Sequence, residues 1–424
     1  MKRILILGCN ELTKRLLLEL CRYQSYVSGI CLASRRKEDC DELRELASSM
    51  GVRVTTAGID MNNVEGAMMM VKIFAPDLVV NLLPPEHTIS AMELAIKAKA
   101  DYIDETLFGV PEFPTPFSLL SVQFEKFKDF KNNEKTAICG AGIVPGAATA
   151  IIRNARMKHF ETIESIDLVC ITGDAQASSR AKKKEVDKNL YSEDIKPPLI
   201  PVMKPSDDTK VFYIEKGAVV ETDSHAFERR TSLGTKAYLS TSPMLTDLLK
   251  EYPDPIDVKF FKPGKKTIKE HIPPQKKIDL LNELGLLSTE PVNVNGVSVA
   301  PIDLVAAVLP KQADIVEEKE DETQPKGIAT FEIYITGKSK TEDKVITRSY
   351  VLKGDNDECL EKNNVDALEY MKGSALIAGV KLMCKEKWNK AGVFTPAAFD
   401  CETYYQALVA EGLNIEEGES KKSN

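Results

Sequence analysis

A chain of 424 residues, 43% hydrophobic and 28% charged, carries enough apolar side chains for a large core and for more than one domain. Its net charge of −8 gives no global attraction to nucleic acid or anionic lipid, and no stretch approaches the roughly 18 apolar residues of a membrane span. Nine cysteines with no C-x-x-C pair and no nearby His argue against a zinc set, and predict reduced thiols in a soluble, cytoplasmic protein without a metal.

The opening "ILILGCNELTKRLLLEL" runs an apolar strand through Gly8 into an amphipathic helix, the strand, turn and helix of a dinucleotide site. Where the G-x-G-x-x-G fingerprint has its later glycines, this chain has Asn10 and Thr13. Asn10 tolerates unusual dihedrals but fills space near a pyrophosphate, and Thr13 is expected to push the helix off the sheet. The helix N-terminus, Glu11 and Leu12, still offers backbone N–H groups to an anion. A degenerate turn of this kind is equally compatible with an ordinary βα turn.

Further strands are predicted at 26–33, 51–56, 78–82, 102–103 and 136–139, with helices at 39–50, 64–74, 88–98 and 119–130 between them. This βαβα order implies a Rossmann-type, doubly wound parallel sheet in the α/β class. The second strand ends in "CLASRRKED", placing Ser34, Arg35 and Arg36 where a guanidinium fork suits the 2′-phosphate of NADP; the alternative is a solvated charge cluster. NADP(H) is thus favoured, with NAD(H) possible. Asp60 and Met61 after the third strand, and Asn81 and Leu82 after the fourth, stand at carboxyl ends that wall such a cofactor, although Asp60 also suits a helix cap.

From residue 146 the pattern changes to a helix at 146–158, a strand at 165–173 and a polar loop containing Lys182, Lys183 and Lys184. Alternation in "KVFYIEKGAVVET", "IATFEIYITG" and "KVITRSYVLKG" predicts strands, the last two as an antiparallel hairpin, hence a second α+β domain. The acidic segment 315–327 is expected to be an exposed loop, and helical periodicity returns in "SALIAGVKLMCKEKWNKAGVFTP". The expected division is 1–145 for cofactor, completed by 374–415; 146–373 for substrate binding and dimerisation; and 416–424 as a disordered tail.

Together, "CLASRR", "FAPDLVVNLLPPEHTISAMELAIKAKADYIDET", "AICGAGIVPGAATAII", "LLNELGLLSTEPVNVNGVSVAP" and "ALIAGVKLMCKEKWNKAGVF" resemble the saccharopine dehydrogenase and reductase-like family. The resemblance implies hydride transfer between a nicotinamide and a C–N bond in a small amino-acid-derived substrate, such as a saccharopine, an opine or a carboxyalkyl polyamine, by a homodimer. It also implies that Asp104, in "DYIDET", is the reactive acid, with a loop or cap carboxylate as the alternative; Tyr102 reads as core packing. Gly142 and Pro145 match a family turn beneath the nicotinamide, although Val144 stands where an acid is common. Arg229, Arg230 and Lys236 match the region expected to bind substrate carboxylates, against a plain basic face. The altered turn leaves a rival of another class: a non-catalytic descendant acting as nucleotide sensor or assembly partner.

Overall fold

The computed structural model describes residues 1–61, 63–105, 118–171, 210–234, 236–242, 256–263, 280–281, 283–288, 292–294, 296–301, 304–305, 327–363 and 365–419. Strands β1 (Lys2–Leu7), β2 (Val27–Ser34), β3 (Val54–Gly58), β4 (Leu78–Asn81), β5 (Asp101–Asp104) and β6 (Thr136–Ile138) lie parallel in the order β3-β2-β1-β4-β5-β6. Helices α1 (Glu11–Arg22), α2 (Asp41–Ser49), α3 (Val64–Phe74), α4 (Thr88–Ala98), α5 (Ser118–Glu125) and α6 (Phe127–Asn132) separate them. The strand order reverses between β1 and β4, which opens a ligand crevice at their carboxyl ends. Burial on both faces explains why β1 and β4 read as unbroken apolar runs rather than as alternation.

Three helices match the sequence periodicity end for end: 11–22, 64–74 and 88–98. The predicted helix at 39–50 opens as a 3₁₀ turn, Lys37–Cys40, and that at 119–130 divides between Glu125 and Phe127. Asn63, not Asp60, caps α3: its side chain accepts from the Gly66 amide.

Helix α7 (Ala148–His159) leads into β7 (Phe160–Ile171), the centre of a second sheet. That sheet also holds β8 (Lys210–Glu215), β9 (Ala218–Asp223), β10 (Glu228–Arg230), β11 (Lys236–Leu239), β12 (Asp257–Pro263), β15 (Ile328–Ser339) and β16 (Val345–Asp355); β13 (Val292–Val294) and β14 (Val297–Val299) form a separate hairpin. Strand β12 runs parallel to β7 and the remaining pairs are antiparallel, including the β15–β16 hairpin that alternation predicts. The lysines of 182–184 and residues 315–326 lie outside the described residues.

After α8 (Asn356–Asn363), helix α9 (Ala367–Cys384) returns to the first sheet. Most of its circumference is buried because it packs on both sides, touching α1 and β5 as well as β15 and β16. Strand β17 (Gly392–Phe394) then pairs parallel with β6, α10 (Cys401–Ala410) follows, and β18 (Ile415–Glu419) pairs antiparallel with β16. The expected disordered tail is thus wrong for 416–419, whose polar sequence forms an edge strand. One apolar cluster runs from Ile4 and Leu16 through Leu376 to Ile333 and Phe331, so the two sheets share a core.

The thiols also depart from expectation. Cys9, just after the Gly8 turn, is disulfide-bonded to Cys40, and the other seven are free. Among the described residues no helix is long and apolar enough to cross a membrane.

Candidate active site

The altered fingerprint is a helix cap. Asn10 Oδ1 accepts from the Thr13 amide at 2.9 Å while Thr13 Oγ1 accepts from the Asn10 amide at 3.3 Å, a reciprocal capping box at the start of α1. Thr13 is fully buried, and its hydroxyl donates to the Gly8 carbonyl at 2.9 Å, so a polar side chain is satisfied where the fingerprint has a glycine. Gly8 has φ +104°, and a Cβ there would stand 2.8 Å from the Leu82 carbonyl oxygen, so glycine is required. Asn10 Nδ2 donates to that same carbonyl at 3.2 Å, tying the turn to the end of β4.

At the end of β2, Arg35 is exposed, and Arg36 grips Asp39, with Nη2 to Oδ1 at 2.8 Å. Ser34 Oγ donates to the other oxygen of Asp39 at 3.1 Å. Ser34 and Arg36 therefore converge on one carboxylate. Of the other candidate walls, Met61 is buried in the core and Asp60 is exposed.

Beyond the turn, at the carboxyl ends of β1, β4 and β5, lies a cavity of about 310 Å³. Asn10 and Leu12 line it from α1, Asn81 and Leu82 from β4, Asp104 and Glu105 from β5, and Glu369 and Lys372 from α9. Asn81 shapes the rim: its Oδ1 accepts from the Leu83 amide at 3.1 Å and its Nδ2 donates to Tyr102 Oη at 3.0 Å.

Asp104 is the hub of a buried network. Its Oδ2 accepts from Tyr102 Oη and Gln123 Nε2, each at 2.7 Å, and its Oδ1 accepts from the Gly140 amide at 2.9 Å. The residue is 2% exposed. Tyr102 is in the core, as read from sequence, but its hydroxyl is engaged. Burial and the adjacent Asp104 charge push that hydroxyl well above the ordinary tyrosine range, so it stays a donor.

Glu105, missed in the sequence, has the opposite setting. The residue is half-buried, but its Oε2 is enclosed, and among the described residues nothing donates to it. Burial pushes its carboxyl up to about 7; the Lys372 ammonium opposes that shift, and Glu369 and Asp104 reinforce it. Gly142 backs this side chain: a Cβ on Gly142 would stand 3.9 Å from Glu105 Oε2, and buried Pro145 follows in the same turn. Lys372 pairs with Glu369 at 2.6 Å; burial works against its charge, but Glu369 and Glu105 prevail and hold the ammonium above its usual range. Lys262 on β12 is also missed. Burial lowers it, with the Lys372 charge adding to the effect, which brings a cation of the second sheet near this cluster. An acid at a strand end, next to Asp104, is a signal that the sequence did offer for Glu105; the approach of α9 is not visible in it.

The second-sheet cations expected to meet substrate do not line this cavity. Arg229 pairs with Asp167 and lies 4.0 Å from the Tyr334 ring centroid. Lys236 pairs with Glu228 at 2.9 Å on the exposed β10–β11 edge, where Arg230 is also exposed.

Residues 4–138 match the model of the saccharopine dehydrogenase NADP binding domain, and residues 173–413 that of the saccharopine dehydrogenase C-terminal domain. Carboxyaminopropylagmatine dehydrogenase from Synechocystis sp. is 24% identical over 421 residues, covering 97% of this chain and 96% of its own. Carboxynorspermidine synthase from Vibrio alginolyticus is 21% identical over 404 residues, covering 92% and 90%. Saccharopine dehydrogenase (L-Glu forming) from Saccharomyces cerevisiae shares the fold, with a TM-score of 0.61 at 14% identity over 99% of this chain and 100% of that one. So does homospermidine synthase from Legionella pneumophila in complex with NAD, at 0.58 and 12% over 99% and 91%. With its doubly wound parallel sheet, second mixed sheet and both family domains matched, the chain belongs to the saccharopine dehydrogenase family and is an oxidoreductase of that family.

Proposed function

We propose that this enzyme uses a nicotinamide cofactor, with NADP(H) preferred, to make or break a secondary-amine C–N bond in a carboxyalkyl polyamine or agmatine adduct. The observation that carries this is the cavity at the switch point, because it begins at the α1 N-terminus and ends among Glu105, Glu369 and Lys372. A substrate bearing both amine nitrogen and carboxylate needs charges of both signs there. The two near-full-length relatives, a carboxyaminopropylagmatine dehydrogenase and a carboxynorspermidine synthase, are named for such adducts.

The chain's residues fit the cofactor. The Gly8 turn and the backbone of Asn10, Glu11 and Leu12 would meet the pyrophosphate, Asn81 and Leu82 the ribose beside the ring, and Gly142 and Pro145 its far face. The bound nicotinamide supplies the two-electron exchange. Arg35, exposed, with Arg36 and Ser34, would receive a 2′-phosphate in place of Asp39, since a dianion offers the same donors a stronger acceptor. NAD(H) remains a second reading on one observation: Asp39 already occupies Ser34 and Arg36, and a carboxylate there suits ribose hydroxyls. Residues 1–145 with 374–415 would form the cofactor unit, and 146–373 the substrate and dimerisation unit.

The test is turnover of carboxynorspermidine and carboxyaminopropylagmatine with NADP⁺ and NAD⁺, followed by nicotinamide absorbance. Turnover with NADP⁺ favoured is expected; absence of turnover with either cofactor would contradict the assignment.

A further inference from the structure

C–N chemistry at this cavity needs a group that exchanges a proton with nitrogen, and Asp104 is poorly placed for it. Three donors hold its carboxylate inside the protein. Glu105, one residue on, lines the same cavity together with the Lys372–Glu369 pair; its Oε2 is enclosed, has no donor among the described residues and is backed by Gly142. A carboxyl enclosed without a donor is favoured in its neutral form, yet a nearby ammonium makes ionisation accessible.

We infer that Glu105 is the catalytic residue that exchanges the proton of the reacting nitrogen, and that Lys372 and Glu369 receive, respectively, a carboxylate and a cationic group of the same substrate. The inference rests on the oxidoreductase reading above and deepens it. In the oxidative direction the Glu105 carboxylate takes a proton from the secondary ammonium. An N–H bond breaks, its electron pair stays on nitrogen, and an O–H bond forms, leaving a neutral acid and a neutral amine. The amine's free lone pair can then assist oxidation at the adjacent carbon, and the reductive direction returns the proton. Among the described residues, the charged groups facing Glu105 are Asp104 on its own strand and Lys372 and Glu369 on α9; α1 and its cap contribute only uncharged Leu12 and Asn10 to the cavity, and Gly142 of the turn carries no charge. Its titration near neutrality accords with a proton shared with a substrate amine.

The test is calorimetric titration of the full chain with agmatine and with spermidine near pH 7, in two buffers of different ionisation enthalpy. Since the bound amine and Glu105 share one proton, the wild type is expected to release about half a proton per amine bound, and Glu105→Gln none. Failure of the wild type to bind either amine, binding without proton release, or equal release from Glu105→Gln overturns the inference. If Glu105→Gln does not fold, Lys372→Met serves: losing the ammonium should move the midpoint of proton release to higher pH, and an unmoved midpoint counts against it. In turnover, Glu105→Gln should lose about a hundredfold or more in kcat and the ionisation near neutrality, with NADPH binding unchanged. Glu105-dependent proton release in a protein that oxidises no adduct sinks the oxidoreductase reading and leaves the proton site standing; normal turnover by Glu105→Gln does the reverse.

Discussion

Replacing Asp104 by Ala removes a charged acceptor from the Tyr102 hydroxyl, the Gln123 amide and the Gly140 N–H inside the protein. A hydrogen bond to a charged group contributes about 1.5–3 kcal/mol, so losing three should cost Asp104→Ala about 3 kcal/mol or more, read as a lower urea midpoint. Glu105 acts on stability with the opposite sign. Its folded pKa of about 7 stands above the ordinary 4.5 because burial disfavours the anion. Its contribution is full below pH 4.5, where both states are neutral, and is lost as pH rises to 7, because only the unfolded chain ionises in that window. The loss is roughly 3 kcal/mol in all, so urea unfolding should show Glu105→Gln gaining on the wild type between about pH 5 and about pH 8. The acid matched to the family motif is held by three donors, and its unremarked neighbour lines the same cavity beside it. Nothing in "DYIDET" separates the two, because burial depends on Gln123, Gly140 and α9, all distant in sequence.

At the scale of elements, α9 carries Lys372 and Glu369 to the site only because it packs tightly between the sheets. Gly379 permits this: a Cβ there would stand 2.9 Å from both Ile103 Cδ1 and the Trp388 ring. Gly379→Val should therefore destabilise by about 1–3 kcal/mol through overpacking, and should weaken amine binding by tilting the helix, measured by thermal melting and calorimetry. A change in neither would show that α9 tolerates displacement. The first sheet was legible because its buried strands and amphipathic helices carry strong periodicities, and α1, α3 and α4 match to the residue. Strand β17 was not, since three residues carry no period, and β18 reads as a polar tail because an edge strand needs little apolar content. In the sequence the Asn10–Thr13 pair reads as a broken fingerprint, although an Asn three residues before a Thr at a helix start is also a capping signal.

For the whole molecule, the two sheets share one core, and the switch-point cavity takes groups from the first sheet and from α9, with Lys262 of the second sheet close by. This arrangement joins a nucleotide turn to a pocket with charges of both signs, and either half alone would fit many functions. The most direct measurement is fluorescence titration of the purified protein with NADPH, and with NADH in parallel, using Arg35→Ala/Arg36→Ala as control. The account predicts saturable binding with NADPH tighter, and a loss in the double variant of about tenfold or more for NADPH against little for NADH. Binding of neither nucleotide would contradict it, leaving the capped Gly8 turn a remnant and the cavity without the cofactor its chemistry requires.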